Sequence, residues 1–494
     1  MSVPTVAFAT LGCRLNQVDS QQLQTALEAR GFTTVPFAGP ADVVVVNTCT
    51  VTARAEFSDR QAIRRAARLA PGARLVVTGC WAQTSPGAVA GLAEVDLVVG
   101  NADKARLPDL IGDLLGGARP PARVSVSPIA EATAVEVAPL ARVPGRSRAF
   151  LKVQDGCQHR CAFCVVPLAR GASRSLEPKV VLDQARRLVE AGHPELVLTG
   201  VDLGHYGADL LPRTTLAALL RDLVGLPGLR WLRLSSLLPA YVTEELIEAL
   251  TASPRIAPHL HVPLQSGSDR VLRAMRRPYT AAMYRRLVER LAAAIPALGL
   301  GADVIVGFPG ETEEDFAATA GLVAALPFSY LHVFPFSPRA ATEAVRLAGR
   351  VDARTVGARG RALRELGRAK HRAFSERLVG GVQEVLVLET RDRATGALVG
   401  LTGNYIEVAF AGPDALMRRC RSRTCTCSRS RRAPPRSPCG WRDGWTHARS
   451  ARGAARSGSW AARSTARSAS GWSAASRRSW CSRRATGPPG RWSG

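Results

Sequence analysis

No stretch of the 494 residues is long and apolar enough to span a bilayer, so no membrane partner is expected. Residues 1–13 end in Leu11-Gly12-Cys13, but they carry no basic segment and their apolar run is too short for an export signal. They read as a buried first strand of a cytoplasmic protein. Lysine is scarce relative to arginine. A disulfide framework is absent as well. Of the 11 cysteines, five (Cys420, Cys425, Cys427, Cys439 and Cys481) fall in the last segment, with an odd count and no pairing pattern. The other six form two sets of three, which suits reduced thiolates in a cytoplasm.

The segment 414–494 lacks most of what a fold needs. It contains no Val, Ile, Phe, Tyr, Lys, Asn, Gln or Glu, and Leu416 is its only branched aliphatic, so it cannot bury a core. It holds six of the eight Trp and 19 Arg against Asp414 and Asp443, a net of +17. That leaves +9 of the chain's +26 for the first 413 residues, a moderately basic balance compatible with nucleic acid. A basic tail with interleaved aromatics could bind single strands. The switch in composition falls inside a β-rich piece rather than at a linker. This favours a GC-rich coding region read in a shifted frame, giving a disordered tail.

What is present is concentrated in Cys157-Gln158-His159-Arg160-Cys161-Ala162-Phe163-Cys164. The C-x3-C-x2-C spacing supplies three thiolates from one short loop. Three thiolates on a cubane iron–sulfur cluster leave one iron open to an outside ligand. Structural zinc closes with four protein ligands, and His159 is the candidate fourth, although so short a loop would have to fold back tightly to deliver it. The spacing, with Phe163 before the last cysteine, resembles the radical S-adenosylmethionine signature.

Residues 1–125 alternate continuous apolar runs (Val3–Ala9, Asp42–Val46, Arg74–Val77) with helical stretches (Ser20–Arg30, Ala53–Leu69), the pattern of a parallel sheet covered on both faces. Each run leads directly to a cysteine: Cys13, Cys49 and Cys80. Ligands of open parallel sheets bind beyond the carboxyl ends of the strands, so these three thiolates can converge on a second cluster. A single buried cysteine would read as a small hydrophobe. The stretch 120–148 reads as a linker or edge segment.

A second α/β series over 143–375 has strands at Ala149–Gln154, Glu195–Thr199, Arg230–Ser235, Leu260–Leu264, Ala302–Gly307 and Tyr330–Phe334, with helices at Pro178–Ala191, Thr243–Leu250 and Ala281–Ala294. Thr312 and Asp315 form a capping box. Six strand–helix units predict an incomplete barrel open on one side, with its chemistry at the carboxyl ends of the strands. Gly200, Ser236, Gln265 and Ser266 fall at those ends as candidate cofactor contacts, through close backbone approach and amide or hydroxyl groups. A basic helix (Thr355–Arg377) precedes a small β piece at 378–413, with strands at Gln383–Leu388 and Asn404–Phe410, about three strands of an interrupted barrel.

The strings TLGCRLNQVDS, NTCTVT, TGCWAQ, QDGCQHRCAFCVVPLARG, HVPLQSGSDRVLRAMRR, DVIVGFPGETEEDF and VFPFSPR run in order across residues 10–339. Together they resemble the radical S-adenosylmethionine methylthiotransferases, and 378–413 resembles a truncated RNA-binding TRAM domain. The resemblance implies an α/β protein with an N-terminal methylthiotransferase domain, a partial (β/α)6 barrel and a small β domain. It implies two [4Fe-4S] clusters, with Cys13, Cys49 and Cys80 holding the auxiliary, sulfur-bearing one and Cys157, Cys161 and Cys164 the radical-generating one. S-adenosylmethionine would supply both the methyl group and the radical, and a small flavodoxin- or ferredoxin-like protein the electrons.

Three subfamilies compete: one for isopentenyladenosine in tRNA, one for threonylcarbamoyladenosine in tRNA, and one for an aspartate of a ribosomal protein. TLGCRLNQ, NTCTVTARAE and LTGVDLGHYG look most like the second, which implies methylthiolation at C2 of N6-threonylcarbamoyladenosine at tRNA position 37. A non-catalytic iron–sulfur RNA-binding protein is the reading from a different class. Oligomeric state is not legible. For the tail, resequencing the gene around the Pro413 codon is expected to reveal a shifted frame; one intact frame through that point would contradict this reading.

Overall fold

The computed structural model describes residues 3–116, 122–135, 140, 143 and 145–413, and the backbone of 425–428. The first layer runs β1 (Thr5–Thr10), α1 (Arg14–Glu28), β2 (Thr33–Val35), β3 (Val43–Thr48), α2 (Ala53–Leu69), β4 (Arg74–Gly79), α3 (Cys80–Thr84), α4 (Pro86–Ala90), β5 (Leu97–Val99), α5 (Leu107–Leu115) and β6 (Arg123–Ser125). Its six strands pair in the order β2-β1-β3-β4-β5-β6, all parallel.

The run Val43–Val46 explains why β3 is central. Val44 and Val46 pack with Ile63 and Ala66 of α2 on one face, while Val43 and Val45 pack with Leu23, Leu27, Leu107 and Ile111 of α1 and α5 on the other. β2, β5 and β6 span only three residues each, too short for a periodic signal, and β6 is the edge strand within the stretch read as linker or edge.

The barrel follows with β7 (Arg148–Lys152), β8 (Gln154–Asp155), α6 (Val166–Arg170), β9 (Arg174–Ser175), α7 (Pro178–Glu190), β10 (Glu195–Thr199), α8 (Leu216–Leu223), β11 (Trp231–Leu234), α9 (Glu244–Thr251), β12 (His259–His261), α10 (Asp269–Ala274), α11 (Ala281–Ala294), β13 (Gly299–Val306), α12 (Glu313–Ala325), β14 (Tyr330–Pro335) and α13 (Ala353–Arg377). β7-β10-β11 and β12-β13-β14 form parallel three-stranded sheets. Single bridges, Leu232 to Ile256 and Ser236 to His261, join them into one curved wall. The Thr312–Asp315 capping box opens α12.

Residues alternate sharply along this wall. Leu151, Leu196, Leu198, Leu232, Leu234, Leu260 and Val304 belong to the core shared with the helices. The intervening positions carry Arg148, Glu195, Arg233, His259, His261, Asp303, Tyr330 and His332, which bond to one another across the strands. A half-barrel with an apolar outer face and a charged inner face is built to hold a polar ligand inside. Among the described residues no helix is long and apolar enough to cross a membrane.

The last layer is an antiparallel sheet of β15 (Val382–Arg391), β16 (Leu398–Thr402), β17 (Glu407–Phe410) and β18 (Cys425–Ser428), in the order β17-β16-β15-β18. The sequence reading missed β16 and began β17 too early, because residues 403–406 form the turn between them. That turn seats against the amino end of the barrel, where Arg233 donates to the carbonyls of Thr402 and Gly403 and Tyr405 stacks on His259 at 4.3 Å. The strand at Cys425–Ser428 departs from the expectation of a tail without structure. Strand pairing uses main-chain groups that any sequence carries, and the free edge of β15 accepts it. The rest of 414–494, including the reading of that segment as disordered, lies outside the described residues.

Candidate active site between two cysteine triads

β1, β3 and β4 are neighbours, so the segments that leave their carboxyl ends emerge side by side, and each carries a cysteine at once. Gly12 makes this approach possible. It has φ +95°, and a Cβ there would fall 2.8 Å from the Cys49 Cβ and 3.2 Å from its Sγ. Gly79 does the same before Cys80, with φ +99° and room only for hydrogen, as a Cβ would meet the Thr48 carbonyl at 2.4 Å. Burial pushes the Cys13 and Cys49 thiols up, and proximity to each other and to Cys80 adds to it for Cys49. The Asn101 amide lies 3.8 Å from the Cys80 Sγ and donates to the Ala169 carbonyl at 2.6 Å, reaching from this triad to α6.

The second triad lies on the loop between β8 and α6. The Cys157 N–H donates to the Gly171 carbonyl at 2.9 Å, and Ala162 N–H to that of Met275 at 3.1 Å, which pins the loop at both ends. Donors face its sulfurs: Val166 N–H at 3.4 Å from Cys164, and Arg277 Nη1 at 3.3 Å from Cys161. Burial pushes the Cys157 thiol up to about 12, helped by Asp202, and the Cys164 thiol up to about 11. Crowded, buried thiols that disfavour each other's ionisation suit a cationic metal core, which replaces their protons. None of the six is in a disulfide. His159 Nε2 is held by the Tyr241 hydroxyl at 2.9 Å and by Asp202 at 3.3 Å, leaving the three cysteines as the loop's ligand set. This donor set fits an iron–sulfur cluster with an open iron.

Gly200, Ser236 and Gln265 follow β10, β11 and β12 at the mouth of the barrel. A Cβ on Gly200 would lie 2.8 Å from the Gln154 side chain, and Ser236 is exposed. Gln265 has φ +65°, and its buried Oε1 has no partner among the described residues, which leaves an acceptor unsatisfied on the segment that follows β12. Ser266 is directed elsewhere. Its hydroxyl lies 3.2 Å from the Thr319 hydroxyl and accepts from Ser268 N–H, tying the loop to α12.

A buried ion cluster that the sequence reading missed joins the two triads. Arg170, at the end of α6, donates through Nη1 to both oxygens of Asp155 (2.9 and 2.8 Å) and through Nη2 to Asn16 (2.7 Å) and Asp19 (3.0 Å) on α1. Lys152 reaches Asp19 at 2.8 Å and Asp155 at 3.3 Å, and Lys104 reaches Asp19 at 2.7 Å. Burial alone would raise the Asp19 carboxyl, but Lys104, Lys152 and Arg170 overturn it and hold it well below the usual range. The three cations exceed the two carboxylates by one, and burial pulls Lys104 down. Cys13 and Cys80 lie close enough to Arg170 to stabilise its charge. The surplus positive charge therefore faces the N-terminal thiols.

Residues 5–100 match the model described as "Uncharacterized protein family UPF0004", and residues 151–323 that of the radical SAM superfamily. The chain is 39% identical over 416 residues to the threonylcarbamoyladenosine tRNA methylthiotransferase MtaB of Bacillus subtilis, covering 84% of this chain and 92% of that one. The protein of the same name from Aquifex aeolicus is 40% identical over 407 residues (82% and 97%). A tRNA-2-methylthio-N(6)-dimethylallyladenosine synthase of Cereibacter sphaeroides is 39% identical over 399 residues (79% and 88%). The solved structure of the radical S-adenosylmethionine methyltransferase TsrM from Kitasatospora setae shares the fold, with TM-score 0.52, 20% identity and coverage of 70% of this chain and 77% of that one.

Replacing Arg170 by Met leaves Asp155 with Lys152 as its one cation and Asp19 with Lys104 and Lys152. Removing one partner of a buried pair costs about 3–5 kcal/mol, so a large fall in unfolding midpoint is expected by urea titration. An unchanged midpoint would show that the cluster is not buried as described.

Proposed function

The chain belongs to the radical S-adenosylmethionine methylthiotransferase family, and on that premise we propose that it adds a methylthio group to C2 of N6-threonylcarbamoyladenosine at tRNA position 37. The observation that carries the reading is the pairing of two cysteine triads through one buried ion cluster. A generator of radicals needs one triad; a transferase of sulfur has use for two, held in fixed relation. In this reading Cys157, Cys161 and Cys164 hold one [4Fe-4S] cluster, and Cys13, Cys49 and Cys80 a second. When bound, the first would supply the electron that cleaves S-adenosylmethionine to a 5′-deoxyadenosyl radical, and the second the sulfur.

The chain's own residues bind and orient. Gln265 accepts from S-adenosylmethionine through Oε1, with Ser236 and Gly200, whose missing Cβ leaves room for Gln154, at the rim. Arg277 and the Val166 N–H steady the thiolates of the loop. The charged inner wall holds the modified base. Relatives that bear the threonylcarbamoyladenosine name, at 39% and 40% identity, support that substrate. The isopentenyl type remains the second reading, because a relative of that kind is 39% identical. The setting proposed is cytoplasmic, with tRNA as partner and a flavodoxin- or ferredoxin-like donor of electrons.

Nucleoside mass spectrometry of tRNA from a strain lacking the gene is expected to show loss of the methylthio form of threonylcarbamoyladenosine, with the isopentenyl form unchanged; the opposite pattern refutes the substrate. In vitro, a variant with Cys13, Cys49 and Cys80 all replaced by Ala should still release 5′-deoxyadenosine with dithionite but yield no methylthio product. Product from that variant would overturn the second cluster.

A further inference from the structure

One cation on the inner wall is left over. Arg14 directly follows Cys13 as the first residue of α1, and Lys152 and Arg170 tie that helix to β7 and α6 through Asp19. Its guanidinium lies 5.7 Å over the Phe150 ring of β7, and its Nη2 donates to the Tyr405 hydroxyl at 3.1 Å. Arg148 and Arg233 converge on the same phenol ring, at 5.7 and 5.2 Å. Three guanidiniums thus surround one tyrosine.

Their counter-charges are quickly used up. Glu195 receives Arg233 through Nε at 2.8 Å and Nη2 at 3.2 Å, and lies 3.6 Å from Arg148 Nη1. Arg233 spends its other donors on the carbonyls of Thr402 and Gly403. Asp303, the next acid on the wall, is 3.1 Å from both His261 and His332. His259, stacked on Tyr405, is kept neutral by its burial and by these cations, so it supplies no counter-charge. Arg14 makes no ion pair among the described residues, and it is only half-buried. A guanidinium partly out of water without an anion is an unfavourable arrangement that a ligand carboxylate would complete with charge-assisted hydrogen bonds.

We propose that Arg14, backed by the Tyr405 hydroxyl, is the specificity residue that takes the carboxylate of the amino-acid group on the substrate adenosine. The proposal rests on the threonylcarbamoyl reading above. Its placement suits the reaction: Arg14 is covalently adjacent to Cys13, so a nucleoside anchored by its carboxylate lies within about one side chain's length of the site where sulfur would be delivered. The same residue rejects an isopentenyl group, which offers no charge and would leave the guanidinium covered and unpaired. Discrimination then lies at the first residue of α1, beside a cluster ligand, rather than in the barrel alone.

The test measures binding of the full-length, cluster-reconstituted protein to an anticodon stem-loop RNA bearing threonylcarbamoyladenosine, against the same RNA with the carboxylate blocked as its methyl ester. The acid form should bind roughly tenfold to a hundredfold more tightly, the range of a charge-assisted hydrogen bond. Arg14→Met should abolish the preference and Arg14→Lys should retain most of it, with S-adenosylmethionine affinity unchanged in both. Equal binding of acid and ester by the unmodified protein overturns the proposal. So does an equal loss for both RNAs in Arg14→Met, which assigns Arg14 to backbone phosphate, or a loss of S-adenosylmethionine affinity with the preference intact, which assigns it to the cofactor's carboxylate. If tRNA from the deletion strain keeps its methylthio-threonylcarbamoyladenosine, the substrate reading fails whatever Arg14 binds.

Discussion

The molecule depends on a single set of buried charges. Asp19, Lys104, Lys152, Asp155 and Arg170 come from four separate segments of the chain, and none can be buried without the others. Asp19 belongs to the helix that begins just after Cys13. Asp155 precedes Cys157 by two residues, and Arg170 ends the helix that follows Cys164. Satisfying these charges therefore fixes the relation between two cysteine triads that lie on different sheets. A hydrophobic contact of equal area would hold the layers together, but it would allow sliding. Directional bonds to both oxygens of Asp155 do not.

The barrel repeats the same logic in its interior. Its outer face is leucine and valine packed under helices, and its inner face is a ladder of arginine, histidine, tyrosine and acid. Such a lining is costly unless its members satisfy one another, and most do. The turn at 403–406 closes the amino end, where the main chain of Asn404 packs against Gly299 and Tyr405 gathers three guanidiniums. The small β sheet thus floors the barrel.

Much of this was legible in the sequence, and the failures have physical causes. Cys157, Cys161 and Cys164 declare themselves by spacing, and Cys13, Cys49 and Cys80 by following apolar runs long enough to read as strands. The ion cluster was invisible because its partners lie up to 151 residues apart, as Arg170 and Asp19 do, and no local pattern links them. The inner wall did leave a signal, since Glu195, Arg233, His259 and Asp303 sit at alternate positions of strands that are otherwise apolar. Those strands were placed from the sequence without using the alternation. Ser266 was chosen by chemical type, yet its hydroxyl is engaged with Thr319. The strand at Cys425–Ser428 escaped because composition speaks of side chains, while pairing is made by the main chain.

The central claim is that the two triads each hold a cluster and that the ion cluster keeps them close across one site. Electron paramagnetic resonance of the fully reduced protein tests it most directly. The reference is the sum of spectra from two variants, one with Cys13, Cys49 and Cys80 replaced by Ala and one with Cys157, Cys161 and Cys164 replaced by Ala. The account predicts that the intact protein's spectrum departs from that sum, with broadened lines and faster relaxation from magnetic coupling between neighbouring clusters. A spectrum that superimposes on the sum, or no signal from one variant, would contradict it.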